Sequence, residues 1–362
     1  MNIEALARPE IVAMKPYSSA RKEAPGKGIL LNANEAPWPL LGEEDADSAL
    51  NRYPEPQPAE LVISLASLYQ VPAETVLITR GSDEGIDLLT RVFCRAGQDA
   101  ILHCPPTFGM YRIAAQTQGA EIVSVARNSA DGFSNDESAI LDALDSDRRI
   151  KLVFLTSPNN PTGDVIEETF LRQILQRAHD RALVVVDEAY AEFCQLPSAT
   201  GLMQEFENLV VLRTMSKAWA AAGLRCGVVL AQPSVISLLR RVIAPYPLPS
   251  PVVGLAQRML QPDILKKQEK LLLKIGQIKQ LLLANLGRRP FIREVIPGEA
   301  NFVLIRPDNP EGLLAFCAKR NVIIRAYPAD PVLRDWLRIS VGSEEDMQAL
   351  SDSLDEWEKK SG

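Results

Sequence analysis

The chain has 362 residues, 39 of them lysine or arginine against 46 aspartate or glutamate, for a formal net charge of −7. This length suits one or two domains around a large core, the scattered basic residues form no stripe for nucleic acid, and no apolar run approaches a membrane span. Five cysteines without a Cys-x-x-Cys pair argue against a disulfide framework and for a reduced cytoplasm, and two histidines argue against a His-centred zinc site or a Ser-His-Asp triad.

Met1 to Tyr17 lacks the apolar core of a secretory signal. Residues 1–35 read as a polar arm punctuated by proline, with one strand-like piece from Gly28 to Asn32. From about Glu60 to Val242, strands alternate with helices, the pattern of a mostly parallel sheet with helical crossovers. Its first strand, Val76-Leu77-Ile78, runs into Thr79-Arg80-Gly81-Ser82-Asp83-Glu84-Gly85, after which Ile86, Leu89 and Phe93 recur at helical spacing. A glycine-led turn opening a helix offers backbone N–H groups and a positive dipole end to a phosphate. Alone the signal is weak, because every strand-to-helix junction has such a turn.

The strand Leu152-Val153-Phe154-Leu155 leads into Ser157-Pro158-Asn159-Asn160-Pro161-Thr162-Gly163. This is turn chemistry, and its rigid prolines would fix Asn160 with the amide pointing into a site. Ala182-Leu183-Val184-Val185-Val186 then reads as a central parallel strand covered on both faces, ending in Asp187. Taken alone, Asp187 reads first as the N-cap of the next helix. A carboxylate at the end of such a strand nevertheless needs a hydrogen-bonding or cationic partner, and a pyridinium N–H would serve. Pairing there would keep a cofactor ring protonated as an electron sink, and Tyr190, three residues on, could donate to a ring oxygen.

The buried strand Leu209-Val210-Val211-Leu212-Arg213 is followed by Thr214-Met215-Ser216-Lys217-Ala218-Trp219 and then Gly223-Leu224-Arg225. Lys217 therefore lies just past a strand end, where open α/β folds bind ligands. Its amine can form a Schiff base with a carbonyl cofactor. Thr214, Ser216 and Arg225 can hold a phosphate on that cofactor.

Four prolines between Ala244 and Pro251 forbid a helix and favour extended chain, read as the connection between domains. A long helix is expected from about Ile264 to Leu286, with Leu271, Ile275, Ile278, Leu282 and Leu286 on its apolar face. Asn301 to Ile305, Val322 to Arg325 and Trp336 to Val341 then look like strands of a smaller α+β domain. Ser343-Glu344-Glu345-Asp346 looks like the capped start of a last helix. The expected organisation is an arm at 1–35 joining the small domain, a large domain at 36–243, a linker and long helix at 244–286, and the small domain at 287–362.

A phosphate loop, an Asn-Pro turn, a strand-end Asp with Tyr three later, and Ser-Lys with Arg eight beyond the lysine occur here in that order. Over nearly its whole length the chain thus resembles fold-type I aminotransferases that use pyridoxal 5′-phosphate. It is most similar to their histidinol-phosphate aminotransferase family, through Leu31-Asn32-Ala33-Asn34-Glu35, Asn51-Arg52-Tyr53-Pro54 and Cys104-Pro105-Pro106-Thr107-Phe108-Gly109-Met110-Tyr111. Ala222-Gly223-Leu224-Arg225-Cys226-Gly227 and Trp336-Leu337-Arg338-Ile339-Ser340-Val341-Gly342 carry the same likeness.

The resemblance implies an α/β fold with a large, mostly parallel sheet between helices and a smaller α+β domain. It implies transamination of L-histidinol phosphate with 2-oxoglutarate, in a cytoplasmic homodimer with shared sites and no nucleic-acid or membrane partner. By the same resemblance Lys217 carries the cofactor and serves as general base, its amine tuned toward neutrality. Asn160 and Tyr190 hold the ring oxygen and Asp187 the pyridine nitrogen. Gly81, Ser82, Asp83, Thr214, Ser216 and Arg225 surround the phosphate, with Asp83 contributing its backbone N–H. Phe108 stands where the family commonly stacks a tyrosine on the ring. Tyr53 would reach the partner's cofactor phosphate. Arg338 and Asn34 would meet a substrate carboxylate, and Tyr17 and Arg325 the substrate phosphate. The same scaffold also carries aromatic amino acid transaminases and threonine-phosphate decarboxylases, and fold alone does not separate them. A non-catalytic regulator would need an added basic DNA-binding module, for which the arm is too short.

Overall fold

A computed structural model of the chain describes residues 1–17, 29–40 and 50–361. Seven strands form the large sheet: β1 (Val76–Thr79), β2 (Ala100–His103), β3 (Glu121–Ser124), β4 (Ile150–Thr156), β5 (Leu183–Asp187), β6 (Leu209–Thr214) and β7 (Gly227–Leu230), in the order β1-β7-β6-β5-β4-β2-β3. Pairing is parallel for β3–β2, β2–β4, β4–β5 and β5–β6, whereas β7 runs antiparallel between β6 and β1. The described helices, in chain order, are α1 (Pro9–Ala13), α2 (Ala59–Tyr69), α3 (Ser82–Phe93), α4 (Met110–Gln118), α5 (Glu137–Ser146), α6 (Glu168–Ala178), α7 (Pro233–Leu239), α8 (Ser250–Met259), α9 (Pro262–Leu286), α10 (Pro310–Lys319) and α11 (Glu344–Ser361).

The continuous aliphatic runs are explained by burial on both faces. Val184, Val186 and Val211 pack under α2, α5 and α6, while Leu183, Val185, Val210 and Leu212 alternate onto the face covered by α1, α3, α4 and α7. Register brings the functional strand ends to one edge: Thr156 pairs with Asp187, and Gly227 pairs with both Thr214 and Thr79. A second, antiparallel sheet comprises β8 (Ile292–Ile296), β9 (Phe302–Pro307), β10 (Arg325–Ala326) and β11 (Leu337–Ser340), ordered β10-β11-β9-β8. Its core joins Leu282 and Leu286 of α9 to Leu313, Cys317, Leu350 and Leu354 of α10 and α11. Ser343 and Asp346 cap α11 reciprocally, at 3.1 and 2.9 Å.

Four expectations change in detail. The described residues Ile29 to Asn32 form no strand, and Gly28 lies outside the described residues. Val322 to Ile324 are not in a strand, and Arg325 begins β10 instead of ending a longer one. The proline-rich stretch does not stay extended, because α8 starts at Ser250 with Pro251 in its first turn, where a missing N–H costs nothing. In α9, Ile278, Leu282 and Leu286 are buried, but Ile275 is only half-buried and Leu271 is exposed, since the helix's N-terminal half lies beyond the small sheet's core. Among the described residues no helix is long and apolar enough to cross a membrane.

Candidate active site

The edge where β1, β4, β5 and β6 end and β7 begins opens into a cavity of about 160 Å³. Asp187, at the end of β5, forms its floor and is 2% exposed. Tyr111 of α4 donates its hydroxyl to Asp187 Oδ2 at 2.7 Å, and the Ala189 N–H donates to Oδ1 at 3.1 Å. Neither donor is a cation. Burial accordingly pushes the Asp187 pKa up to about 6, against the pull of these two hydrogen bonds. Such a group calls for a cationic N–H facing it from the cavity.

The start of α3 and the segment after β6 form one end. Gly81 leads α3 with φ +78°, and a Cβ there would lie 2.7 Å from the Arg225 guanidinium. Ser82, Asp83, Thr214, Ser216 and Arg225 line the cavity together with Lys217. Arg225 itself adopts φ +55°, a conformation that non-glycine residues rarely take. Its Nη1 donates to Ser216 Oγ at 3.3 Å and its Nη2 meets Asp83 Oδ2 at 3.1 Å. The Asp83 carboxylate therefore has a role the sequence did not supply: it pairs with Arg225, so more than its backbone N–H is engaged.

Lys217 opens onto the cavity with its Nζ 5.7 Å from the centre of the Tyr190 ring. Burial lowers its pKa, and the Arg338 and Arg225 guanidiniums lower it further. Tyr190 is buried against Phe302 of β9, and burial raises its pKa to about 12, so its hydroxyl is a donor at neutral pH. Asn160 reaches the cavity from the turn after β4, and its side-chain oxygen accepts from Arg338 Nη1. That leaves its amide nitrogen for another acceptor. Gly163 closes the same turn at φ +78°, so close to Gly298 that a Cβ would meet the Gly298 Cα at 2.6 Å. The Glu299 N–H donates to Gly163 O at 2.7 Å, which braces the Asn160 turn against the loop joining β8 and β9. Phe108 lines the cavity and meets the Tyr111 ring edge-on at 5.8 Å.

The small sheet meets the cavity's lining from the facing side, Phe302 packing on Tyr190 and Arg338 donating to Asn160, although neither Arg325 nor Arg338 itself lines the cavity. Arg338 of β11 lies 5.2 Å over the Phe302 ring, and its buried Nε has no partner among the described residues. Arg325 stands directly opposite it across β10 and β11. Like charges at opposed positions destabilise a sheet. Tyr17, Asn34 and Tyr53 do not line the cavity within this chain. Tyr17 is 67% exposed, Asn34 is exposed at φ +57°, and the Tyr53 ring stacks on Tyr246 at 4.5 Å.

Residues 27–354 match the family described as Aminotransferase class I and II. The chain is 42% identical over 354 residues to the histidinol-phosphate aminotransferase of Cronobacter sakazakii, covering 98% of this chain and 97% of that one. The chain belongs to the histidinol-phosphate aminotransferases. The fold of this aminotransferase also matches two solved structures at 23% identity. One is the histidinol-phosphate aminotransferase of Clostridium acetobutylicum, at TM-score 0.79 over 88% of this chain and 94% of that one. The other is that of Sinorhizobium meliloti in complex with pyridoxal-5′-phosphate, at TM-score 0.75 over 86% and 84%.

The enzyme's residues fit pyridoxal phosphate on their own chemistry. The buried acid lacks a cationic partner, the lysine has a lowered pKa, and a cradle of N–H groups, hydroxyls and an arginine excludes a Cβ at Gly81. Two tyrosines of this aminotransferase were given no role from sequence. The Tyr111 bond to Asp187 spans 76 positions. Tyr327 carries a buried hydroxyl with no partner among the described residues, and its ring lies 5.6 Å from the Arg325 guanidinium. No local pattern marks either one.

Proposed function

We propose that this enzyme transfers the amino group of L-histidinol phosphate to 2-oxoglutarate, giving imidazole acetol phosphate and glutamate in histidine biosynthesis. What carries the reading is the Arg325–Arg338 pair, opposed across one hairpin, of which Arg338 acts on Lys217 and donates to Asn160. Both substrates bring an anion: a phosphate on one amino donor and carboxylates on the other. Arg338 would suit bidentate carboxylate recognition, and Arg325, which is exposed, would meet the phosphate.

Bound pyridoxal phosphate supplies the electron sink that stabilises the carbanion left when the substrate Cα loses its proton. Lys217 would remove that proton and return one, and the downward pull of burial and the nearby guanidiniums favours the neutral amine this needs. Asp187 would hold the proton on the pyridine nitrogen. Tyr190 and the Asn160 amide would donate to the ring oxygen, and Phe108 would cover the ring. Gly81, Ser82, Asp83, Thr214, Ser216 and Arg225 would anchor the phosphate.

We further propose a homodimer. Tyr53 is 49% exposed, with Ile29, Leu31, Trp38 and Leu40 also bare nearby in sequence, an apolar surface that a second copy would cover. Tyr53 would then reach the partner's cofactor phosphate, while Tyr17 and Asn34 would close over the substrate. Residues 36–243 would form the cofactor domain, 244–286 the linker and long helix, and 287–362 the small domain; the expectation that the arm at 1–35 joins the small domain is corrected at its start, where Ile3, Leu6, Ala7 and Ile11 pack into the core of the large sheet and the Arg8 N–H donates to Val92 O at 2.9 Å. Five free cysteines, four of them buried, suit a cytoplasmic enzyme.

The test is to supply the purified enzyme with pyridoxal phosphate and 2-oxoglutarate and compare histidinol phosphate, phenylalanine and threonine phosphate as donors. Histidinol phosphate should give the largest kcat/KM, and a clear preference for phenylalanine would move the enzyme to the aromatic transaminases. Carbon dioxide release from threonine phosphate would move it to the decarboxylases. For the dimer, Tyr53→Phe and Lys217→Ala subunits should regain activity on mixing, because each hybrid holds one intact site. No gain above the two parents removes the shared site.

A further inference from the structure

We propose that Tyr111 is the positioning residue for Asp187, its hydroxyl holding the carboxylate ionised and in one orientation toward the cavity. The inference deepens the proposed function and rests on its reading of Asp187 as the partner of the pyridine nitrogen.

The ring of Tyr111 is immobilised first. It is fully buried, stacks on Phe154 of β4 at 4.8 Å with 10° between the planes, and meets Phe108 edge-on at 5.8 Å. The hydroxyl therefore has a fixed place, 2.7 Å from Asp187 Oδ2 and 2.7 Å from Thr156 Oγ1. An ionised carboxylate only accepts, so the single phenol proton goes to Asp187. The Thr156 hydroxyl must then donate to the phenol oxygen. Thr107 closes the chain: its hydroxyl lies 3.2 Å from Thr156 Oγ1 and donates to Asn159 Oδ1 at 2.7 Å. Asn159 is in turn held by its own amide, which donates to Pro106 O at 3.0 Å and Thr162 Oγ1 at 2.6 Å. Two hydroxyl protons, those of Thr156 and Tyr111, thus point along one line toward Asp187.

A phenylalanine would fill the same space between Phe154 and Phe108. The oxygen is the part that packing does not require. Burial drives Asp187 toward its neutral form, and a neutral acid could not hold the proton on the pyridine nitrogen. The Tyr111 bond works against that drive, as does the Ala189 N–H. The other titratable groups acting on Asp187 or feeling it are Asp83 on α3, Glu188 and Tyr190 after β5, and Lys217 after β6. Asp83 and Glu188 also push it toward neutrality. Tyr111 is thus the one phenol that donates to the carboxylate among the described residues.

The test uses holoenzyme loaded with pyridoxal phosphate labelled with ¹⁵N in the ring. Wild type should show a pyridinium ¹⁵N shift across neutral pH. In Tyr111→Phe the signal should move toward neutral pyridine and titrate within the accessible range. The acid limb of the kcat profile should shift to higher pH, because a donor to the charged form has been lost. kcat should fall about 10- to 100-fold, as for a hydrogen bond to a charged group, with the KM for the amino donor changed less than about twofold. Thr156→Val should move the ¹⁵N signal the same way by a smaller amount, and it stands in if Tyr111→Phe folds poorly. Wild-type protein that binds no pyridoxal phosphate, or shows no pyridinium signal, removes the functional reading and this inference together. A pyridinium signal and acid limb that survive unchanged in Tyr111→Phe, or in Thr156→Val where that variant stands in, remove the inference alone.

Discussion

On the floor of the site, Asp187 is buried, both its oxygens accept hydrogen bonds, and the strands beside it are packed on both faces. On the facing side, Arg325 is exposed, Arg338 keeps a buried Nε unpaired among the described residues, and the two guanidinium-bearing positions oppose each other on one hairpin. The floor has its geometry settled before any ligand arrives. The facing side keeps donor capacity that the described residues leave unused. Chemistry common to a reaction class belongs on the first kind of surface, and discrimination among substrates belongs on the second.

The comparison breaks most directly at Lys217. Lys217→Ala should lower turnover by about 10⁴-fold or more, the upper range for losing a general base, and should leave the fold intact because the side chain opens onto the cavity. Borohydride reduction followed by peptide mapping should fix cofactor on Lys217 in wild type and on no lysine in the mutant. An adduct on another lysine would reassign the site.

Asp187→Asn should cost more than about 100-fold in kcat, or about 2.7 kcal/mol of barrier, yet stabilise the cofactor-free fold at neutral pH. Burial raises the Asp187 pKa from 3.8 to about 6. Between those values the native state binds more protons than the unfolded one, so stability falls as pH rises from about 4 to about 6, by about 3 kcal/mol in all at 1.36 kcal/mol per unit. The asparagine variant should lack this loss. Urea unfolding of both cofactor-free forms at pH 4 and pH 8 measures it, and identical pH slopes would mean the carboxylate is not buried at a cost.

On the facing side, effects should depend on the substrate. Arg325→Ala should lower kcat/KM for histidinol phosphate by about 10- to 150-fold, the range of a hydrogen bond to a charged group. Glutamate could also suffer, and a non-phosphorylated aromatic donor much less. Steady-state kinetics with both donor types reads this, and equal losses would take Arg325 out of the phosphate site. The smallest change is expected at the cradle's rim. The Asp83–Arg225 pair is half-exposed on both sides, and such pairs contribute little. Asp83→Asn should therefore alter the dissociation constant for pyridoxal phosphate by less than about fivefold, as measured by fluorescence titration.

Local pattern was enough for the floor's main actors. Four aliphatic residues before Asp187, a strand before Lys217 and a glycine-led turn before α3 each state a strand-to-loop junction within a few residues, and parallel pairing carries all such junctions to one edge. The same reasoning, applied to the proline-rich turn, aims Asn160 at a site, and the residue lines the cavity. That reasoning overextended the strand at Val322 to Ile324 and the apolar face at Leu271, because pairing partners and covering layers are not local properties. Only the tertiary structure could show Tyr111 on Asp187, Asp83 on Arg225, or Arg325 facing Arg338, contacts that join residues 76, 142 and 13 positions apart. Sequence fixes which groups stand at the strand ends, since periodicity is written residue by residue. Which of them meet, and hence their charge states, follows from packing, because burial and hydrogen bonding are properties of the assembled neighbourhood.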